Sequence, residues 1–246
     1  MLSNLCGLGI SPYLLYNNSH LIILNHMKIS QPISNCYLFE FTTRKALTLS
    51  FCRIQEYFEA SNPKLKGIPF TFYELINQMM KSDGTLDYFS FWDGFNFSGD
   101  VLLNWLDEIG DLTDHEKKLI DNIEFNGSKF YVIGCLIGDV GTIKHELAHA
   151  MYNLDDTYRN FMDHVYFSEF LRCGKQCDKM RAELKKLGYA DEVLIDEIQA
   201  YLSTSFRKEL RGDFDLDTDE LKPVIKSYRK TFKKFYKSKT IPIKTE

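Results

Sequence analysis

Hydrophobic and polar positions divide the chain into segments of different period. Residues 36–58 (CYLFEFTTRKALTLSFCRIQEYF) alternate and are rich in β-branched and aromatic residues, which predicts strands. Residues 71–81 carry a helical period, and the aromatic stretch DYFSFWDGFNFSGD, interrupted by Gly and Asp, predicts an ordered loop. From about residue 98 helices dominate, in VLLNWLDEI and then LTDHEKKLIDNI, with Thr113 placed to cap the second. A short strand is expected over 129–137 (KFYVIGCLI) after the turn residues Asn126 and Gly127. It leads into the helical segment GTIKHELAHAMYNL. The predicted class is α+β, a small N-terminal sheet region followed by a mainly helical lobe.

Four regions follow from these shifts in pattern. They are an N-terminal extension or first packed element (1–30), an N-terminal α+β region (31–110), a lobe that includes the HELAH helix (111–221), and a basic amphipathic tail (222–246). In the first region LYNNSHLIIL looks apolar, but no basic segment precedes it and Asn17, Asn18, Ser19 and His20 interrupt it. No run approaches the ~18 apolar residues of a membrane span. In the tail, Val224, Tyr228, Phe232, Phe235 and Tyr236 recur at helical spacing with Lys and Arg between them. The expectation is a closing helix that packs this stripe on the body. The alternative is a basic amphipathic helix that meets a membrane or an acidic partner.

Composition refines this picture only in places. At 246 residues, 44% hydrophobic, with 14 Gly and 6 Pro, the chain is neither fibrous nor wholly disordered and can bury a core without disulfide staples. Six widely spaced cysteines predict reduced thiols, and Cys173 and Cys177, one helical turn apart, lack the second pair that a metal module needs. The net charge of −4 is a difference of opposites: residues 222–246 sum to +8 and the preceding 221 to −12. An acidic body without zinc-finger or RNP-type patterns argues against nucleic acid as a partner. A cytoplasmic location is expected, the alternative being an effector exported without a signal peptide.

The chemistry concentrates at His145-Glu146-Leu147-Ala148-His149. On a helix, residues four apart share a face, so the two imidazoles converge on one ion with Glu146 beside them to handle a proton. Ile143, Leu147, Ala150, Met151 and Leu154 form an apolar stripe roughly opposite the histidines, which gives the helix a core side and a separate histidine side. A third ligand must come from elsewhere. Downstream candidates are His164, Glu169, Glu183, Glu192, Asp196 and Glu197. In ADEVLIDEIQAYLSTSF, Glu197 falls among Val193, Leu194, Ile198 and Tyr201, where a lone carboxylate is costly unless it is paired or bound to metal. The bland alternatives for Glu197 are a salt bridge to a buried Lys or Arg and a place at an exposed edge of the stripe, and His164 is the rival ligand.

With His145, Glu146 and His149 followed by Glu197 in DEIQAY, residues 129–205 resemble the gluzincin zinc metallopeptidases, nearest the compact lethal-factor-like and Pro-Pro endopeptidase-like group. The resemblance implies one Zn²⁺ on His145, His149 and Glu197, and hydrolysis of peptide or protein substrates. Glu146 would take the proton of the attacking water. It also implies a tyrosine that donates to the oxyanion, for which Tyr189 and Tyr158 are candidates. Tyr201 stands where thermolysin-like members carry a carboxylate that holds a zinc-binding histidine, and is expected to orient a ligand. The competing functional class is a zinc-stabilised binding or effector-like protein without peptidase activity.

Overall fold

Strand β3 (Cys36–Phe41) shows how the sheet is built. Tyr37, Phe39 and Phe41 enter one apolar cluster while Cys36 and Leu38 enter another, so every residue of the strand is buried. Its run is apolar except for Glu40, which pairs with Lys28 of the neighbouring strand, because helices cover both of its faces. The computed structural model describes residues 22–24, 27–60, 62–90 and 92–239; most of the expected N-terminal extension lies outside these residues. Around β3 stand β1 (Ile22–Leu24), β2 (Met27–Ser30), β4 (Gly94–Ser98) and β5 (Tyr131–Leu136), in the order β1-β2-β3-β5-β4. Only the β3·β5 pair is parallel. The sheet therefore joins strands from both sides of residue 110, and the architecture is α+β.

Residues 36–58 alternate as strand only as far as Phe41. Thr43 then accepts a hydrogen bond from the Ala46 amide and starts a sixteen-residue helix, α1 (Arg44–Glu59). Leu47, Phe51 and Ile54, at helical spacing, are fully buried under the sheet. The cap and this apolar face outweigh the β-forming composition, whose preference depends on context. Gly134 of β5 makes room for α1, since a Cβ there would stand 2.5 Å from the Phe51 ring. The aromatic stretch also departs from expectation: after a 3₁₀ turn (Tyr88–Ser90) its second half is strand β4, with Phe95 and Phe97 on the α1 face. In short helices the sequence signals hold, in α2 (Phe72–Met79), α3 (Gly99–Glu108) and α4 (Asp114–Ile120), the last with a Thr113–Glu116 capping box.

The opposite face of the sheet carries α5 (Val140–Leu154), which Gly138 at φ 82° and the Asp139 cap turn back from β5. Packed beyond it are α6 (Asp156–Val165), which continues through a π turn to Phe170, α7 (Lys175–Lys186), α8 (Leu194–Thr204) and α9 (Arg207–Phe214). The chain closes with α10 (Lys222–Lys239), whose Val224, Ile225, Tyr228, Phe232 and Phe235 are buried against this layer, as a closing helix requires. Burial of each such side chain contributes about 1.5–3 kcal/mol. Among the described residues no helix is long and apolar enough to cross a membrane.

Candidate metal centre

Two helices and one edge strand build the site. Helix α5 presents His145 and His149 one turn apart, and α8 packs across it to bring Glu197 opposite them. His145 Nε2 and His149 Nε2 lie 3.2 Å apart, and the Glu197 oxygens stand 3.9 Å and 3.6 Å from them. Ligands placed tetrahedrally about 2.05 Å from one zinc ion are separated by about 3.3 Å, so the donor set has the dimensions of such a site. Glu197 is 5% exposed, its Oε2 lacks any hydrogen-bond partner, and no Lys or Arg among the described residues pairs with it. That rules out the salt-bridge alternative and leaves a buried acceptor that a cation would satisfy. The residues fit a zinc ion in ligand type, in spacing and in this orphaned oxygen.

Both histidines are held from behind. Asp196 Oδ1 accepts from His149 Nδ1 at 3.0 Å and also from Gln199 Nε2 at 2.8 Å, and the buried Tyr158 hydroxyl donates to Gln199 Oε1 at 2.9 Å. The Thr204 hydroxyl donates to Ala200 O (2.7 Å), which leaves its oxygen, 3.5 Å from His145 Nδ1, as an acceptor for the ring. Each Nε2 is thus turned toward the ligand position. Tyr201 lies edge-on to His145, with centroids 4.6 Å apart.

The charges are unbalanced. Burial, joined by the Glu59, Asp196 and Glu146 charges, pushes Glu197 up to about 8, and burial likewise raises Glu146. Burial disfavours a charge on His149, but Asp196 and Glu197 outweigh it and hold the ring well above its ordinary value; burial holds His145 well below. A buried carboxylate cluster with a single imidazolium is what a dication would neutralise.

Glu146 is fixed separately. Asn96 of β4 donates to its Oε2 at 2.6 Å, and Asn96 in turn accepts from the Tyr131 hydroxyl. A Cβ on Gly94 would lie 2.3 Å from Glu146 Oε1, so only glycine admits the carboxylate here. Gly94, Asn96 and Glu146 line, with both histidines and Glu197, a cleft of about 1000 Å³ between α1 and β4 on one side and α8 and α9 on the other, which Gln55, Glu59, Tyr189 and Tyr201 also line. Gln55 Oε1 accepts the outward Asn96 amide of β4 at 3.3 Å, while Gln55 Nε2 donates to Glu59 at 2.5 Å; burial pushes Glu59 up to about 7.

Several expected roles move. Tyr158 is fully buried with its hydroxyl on Gln199, so it does not reach the cleft; Tyr189 does, and forms a hydrogen bond with Tyr201. His164 is exposed on α6, Glu169 binds Ser227, Glu183 pairs with Lys186, and Glu192 pairs with Lys66 at the cleft rim. Cys173 and Cys177 join no ligand group among the described residues. Asp196, a candidate ligand in the sequence, instead holds His149 from behind, a role that depends on how α8 crosses α5. Sequence reasoning missed Asn96 because β4 reads as a loop, although Asn96 alternates with Phe95 and Phe97. Comparison with protein-family models, curated proteins and solved structures finds no match for this chain.

Proposed function

We propose that this protein is a single-zinc metallopeptidase that hydrolyses peptide bonds in a peptide or protein substrate. The observation that carries the proposal is the convergence of His145, His149 and the orphaned Glu197 carboxylate beside Glu146 in one cleft. Zinc, when bound, supplies a Lewis acid that polarises the scissile carbonyl and acidifies water. Glu146, its pKa raised by burial, accepts a proton from the attacking water and delivers it to the leaving nitrogen. Asn96, Tyr131 and the space left by Gly94 hold that carboxylate at one position. The Tyr189 hydroxyl, on the same cleft, donates to the oxyanion of the tetrahedral intermediate. Unpaired Cys36, Cys52, Cys135, Cys173 and Cys177 support a reducing compartment such as the cytoplasm.

The test is metal content and hydrolysis of a mixed-sequence peptide library by wild type, Glu146→Gln and Glu197→Gln. The expected result is one zinc per chain in wild type and in Glu146→Gln, hydrolysis lowered at least about a hundredfold in Glu146→Gln, and weakened zinc binding in Glu197→Gln. Unaltered hydrolysis in zinc-loaded Glu146→Gln would remove the assigned base. Zinc binding with no hydrolysis in wild type would leave a zinc-stabilised binding protein instead.

A further inference from the structure

The stripe that buries α10 uses only one side of the helix. The other side presents Lys222, Lys226, Lys230, Lys233, Lys234 and Lys237, all exposed, and none forms an ion pair among the described residues. Unpaired lysines occur singly or in twos elsewhere, as at Lys64 and Lys117/Lys118, and other cations are paired, as in Lys66–Glu192, Lys179–Asp215, Lys185–Asp191 and Arg211–Asp219; six in one row are found on α10. Helix α10 holds eight Lys and Arg and no acid. Lys222/Lys226, Lys226/Lys230, Lys230/Lys234 and Lys233/Lys237 are each four residues apart, a spacing at which like charges destabilise a helix. Packing accounts for the aromatic stripe but not for this row, which works against the helix that carries it.

We infer that the outer face of α10 docks on an anionic lipid bilayer. From Lys222 to Lys237 the row runs about 22 Å along the exposed side of one continuous helix, an extent over which a surface can meet many lysines at once. Lysines are compact, hydrated point charges suited to a diffuse headgroup layer, and the row lacks the planar arginine forks that read individual phosphates. The half-buried Arg229 is engaged inward on the Ser205 carbonyl (2.6 Å). Phe161, 47% exposed, sits beside the row with Lys234 Nζ 5.6 Å from its ring centroid, which gives the basic face an aromatic able to enter the headgroup boundary. The remaining 221 residues carry −12, so a polyanion that wraps the molecule is repelled. A planar surface touches the α10 side alone, and charge beyond about 8 Å is screened. No α10 residue lines the cleft, so docking leaves the cleft open. The inference stands whether or not the cleft hydrolyses peptides.

Sedimentation with vesicles of phosphatidylcholine, with and without about 30% phosphatidylserine, in about 0.1 M salt, tests it. The full chain is expected to bind only the anionic vesicles and to be released in about 0.5 M salt. Each lysine near the surface changes partitioning about fivefold, so Lys226→Gln, Lys230→Gln and Lys233→Gln together are expected to lower binding about a hundredfold. The corresponding glutamate triple is expected to abolish it, with the melting temperature of each variant checked because these side chains touch nothing in the core. No preference for anionic vesicles in wild type, or unchanged binding in the glutamine triple, overturns the inference. Tighter binding to a random-sequence RNA or DNA duplex than to the vesicles overturns it in favour of nucleic acid.

Discussion

Asp196 offers a test of the metal centre that does not depend on catalysis. Its Oδ1 is 3.0 Å from His149 Nδ1, on the side away from the ligand position, and is steadied by Gln199 and through it by Tyr158. Asp196→Asn keeps the size of the side chain and removes its charge. The amide oxygen still accepts from His149 Nδ1 but as a weaker, neutral acceptor, and the imidazole loses the negative charge that raises its basicity. Loss of such a partner weakens metal binding about 10–100-fold, which converts to about 1.4–2.7 kcal/mol. Thr204→Val perturbs His145 through a neutral contact at 3.5 Å, which is worth well under 1 kcal/mol, about twofold in affinity. Tyr158→Phe leaves the charge in place and strips one donor from Gln199 in the core. Its expected cost is about 1 kcal/mol of stability with only a few-fold change in affinity.

Zinc affinity would be measured by competition with a chromophoric chelator at fixed pH, and stability by denaturant unfolding of the metal-free protein. The expected order of lost affinity is Asp196→Asn, then Tyr158→Phe, then Thr204→Val. Wild-type affinity in a folded Asp196→Asn variant, or a larger loss in Thr204→Val, would refute the role given to Asp196 and with it the orientation of His149.

Gly94→Ala places a methyl 2.3 Å from Glu146 Oε1 and is expected to cut hydrolysis at least about a hundredfold with zinc content unchanged. Glu116→Ala removes the two 2.7 Å bonds of the fully buried Arg53 guanidinium to its buried partner, leaving it the Phe70 and Asp111 carbonyls and the exposed Asp111 carboxylate at 3.6 Å, and is expected to cost about 3 kcal/mol in denaturant unfolding. Gln55→Ala frees the outward Asn96 amide of the edge strand for an extended chain and is expected to lower KM for peptides severalfold with kcat little changed. Zinc uptake near pH 6.5 is expected to release at least one proton, read by calorimetry in buffers of different ionisation enthalpy, because Glu197 is held up to about 8 and His149 above its ordinary value.

How much of this was legible in the sequence differs by element. The helical period of α2, the Thr113 cap of α4, the strand before α5 and the buried stripe of α10 are local patterns, and local patterns survive folding. Helix α1 was not legible as a helix, because its cap and its Leu47-Phe51-Ile54 spacing sit inside a run of strand-forming residues and gain their weight only when the sheet covers them. The same dependence hid β4: Phe95 and Phe97 alternate, but Gly94 and Asn96 read as loop until α5 lies beneath them. In the site, His145 and His149 could be nominated from their four-residue spacing on the side of the helix away from its apolar stripe, and Glu197 because it breaks a burial rule on its own helix. Asp196 breaks none, being a polar residue on a polar face, and acquires its role only from the crossing of α8 over α5.

The same crossing explains why the metal centre is a folding question as well as a catalytic one. Helices α5 and α8 bring Glu146, Asp196 and Glu197 together, and α1 adds Glu59 to the same cleft, against one imidazolium on His149. In the metal-free protein the buried Glu197 has a folded-state pKa of about 8, above its unfolded value. Its contribution to stability is therefore greatest below about pH 4.5 and is lost as pH rises toward 8. His149, raised despite its burial, acts in the same direction. A dication replaces the protons these groups would otherwise hold, so the zinc-bound protein is expected to keep its stability across this range while the metal-free form loses it. The stabilisation by zinc should thus widen from pH 5 to pH 8, and a constant difference between the two forms over that interval would mean that the carboxylates of α5 and α8 are balanced without an ion.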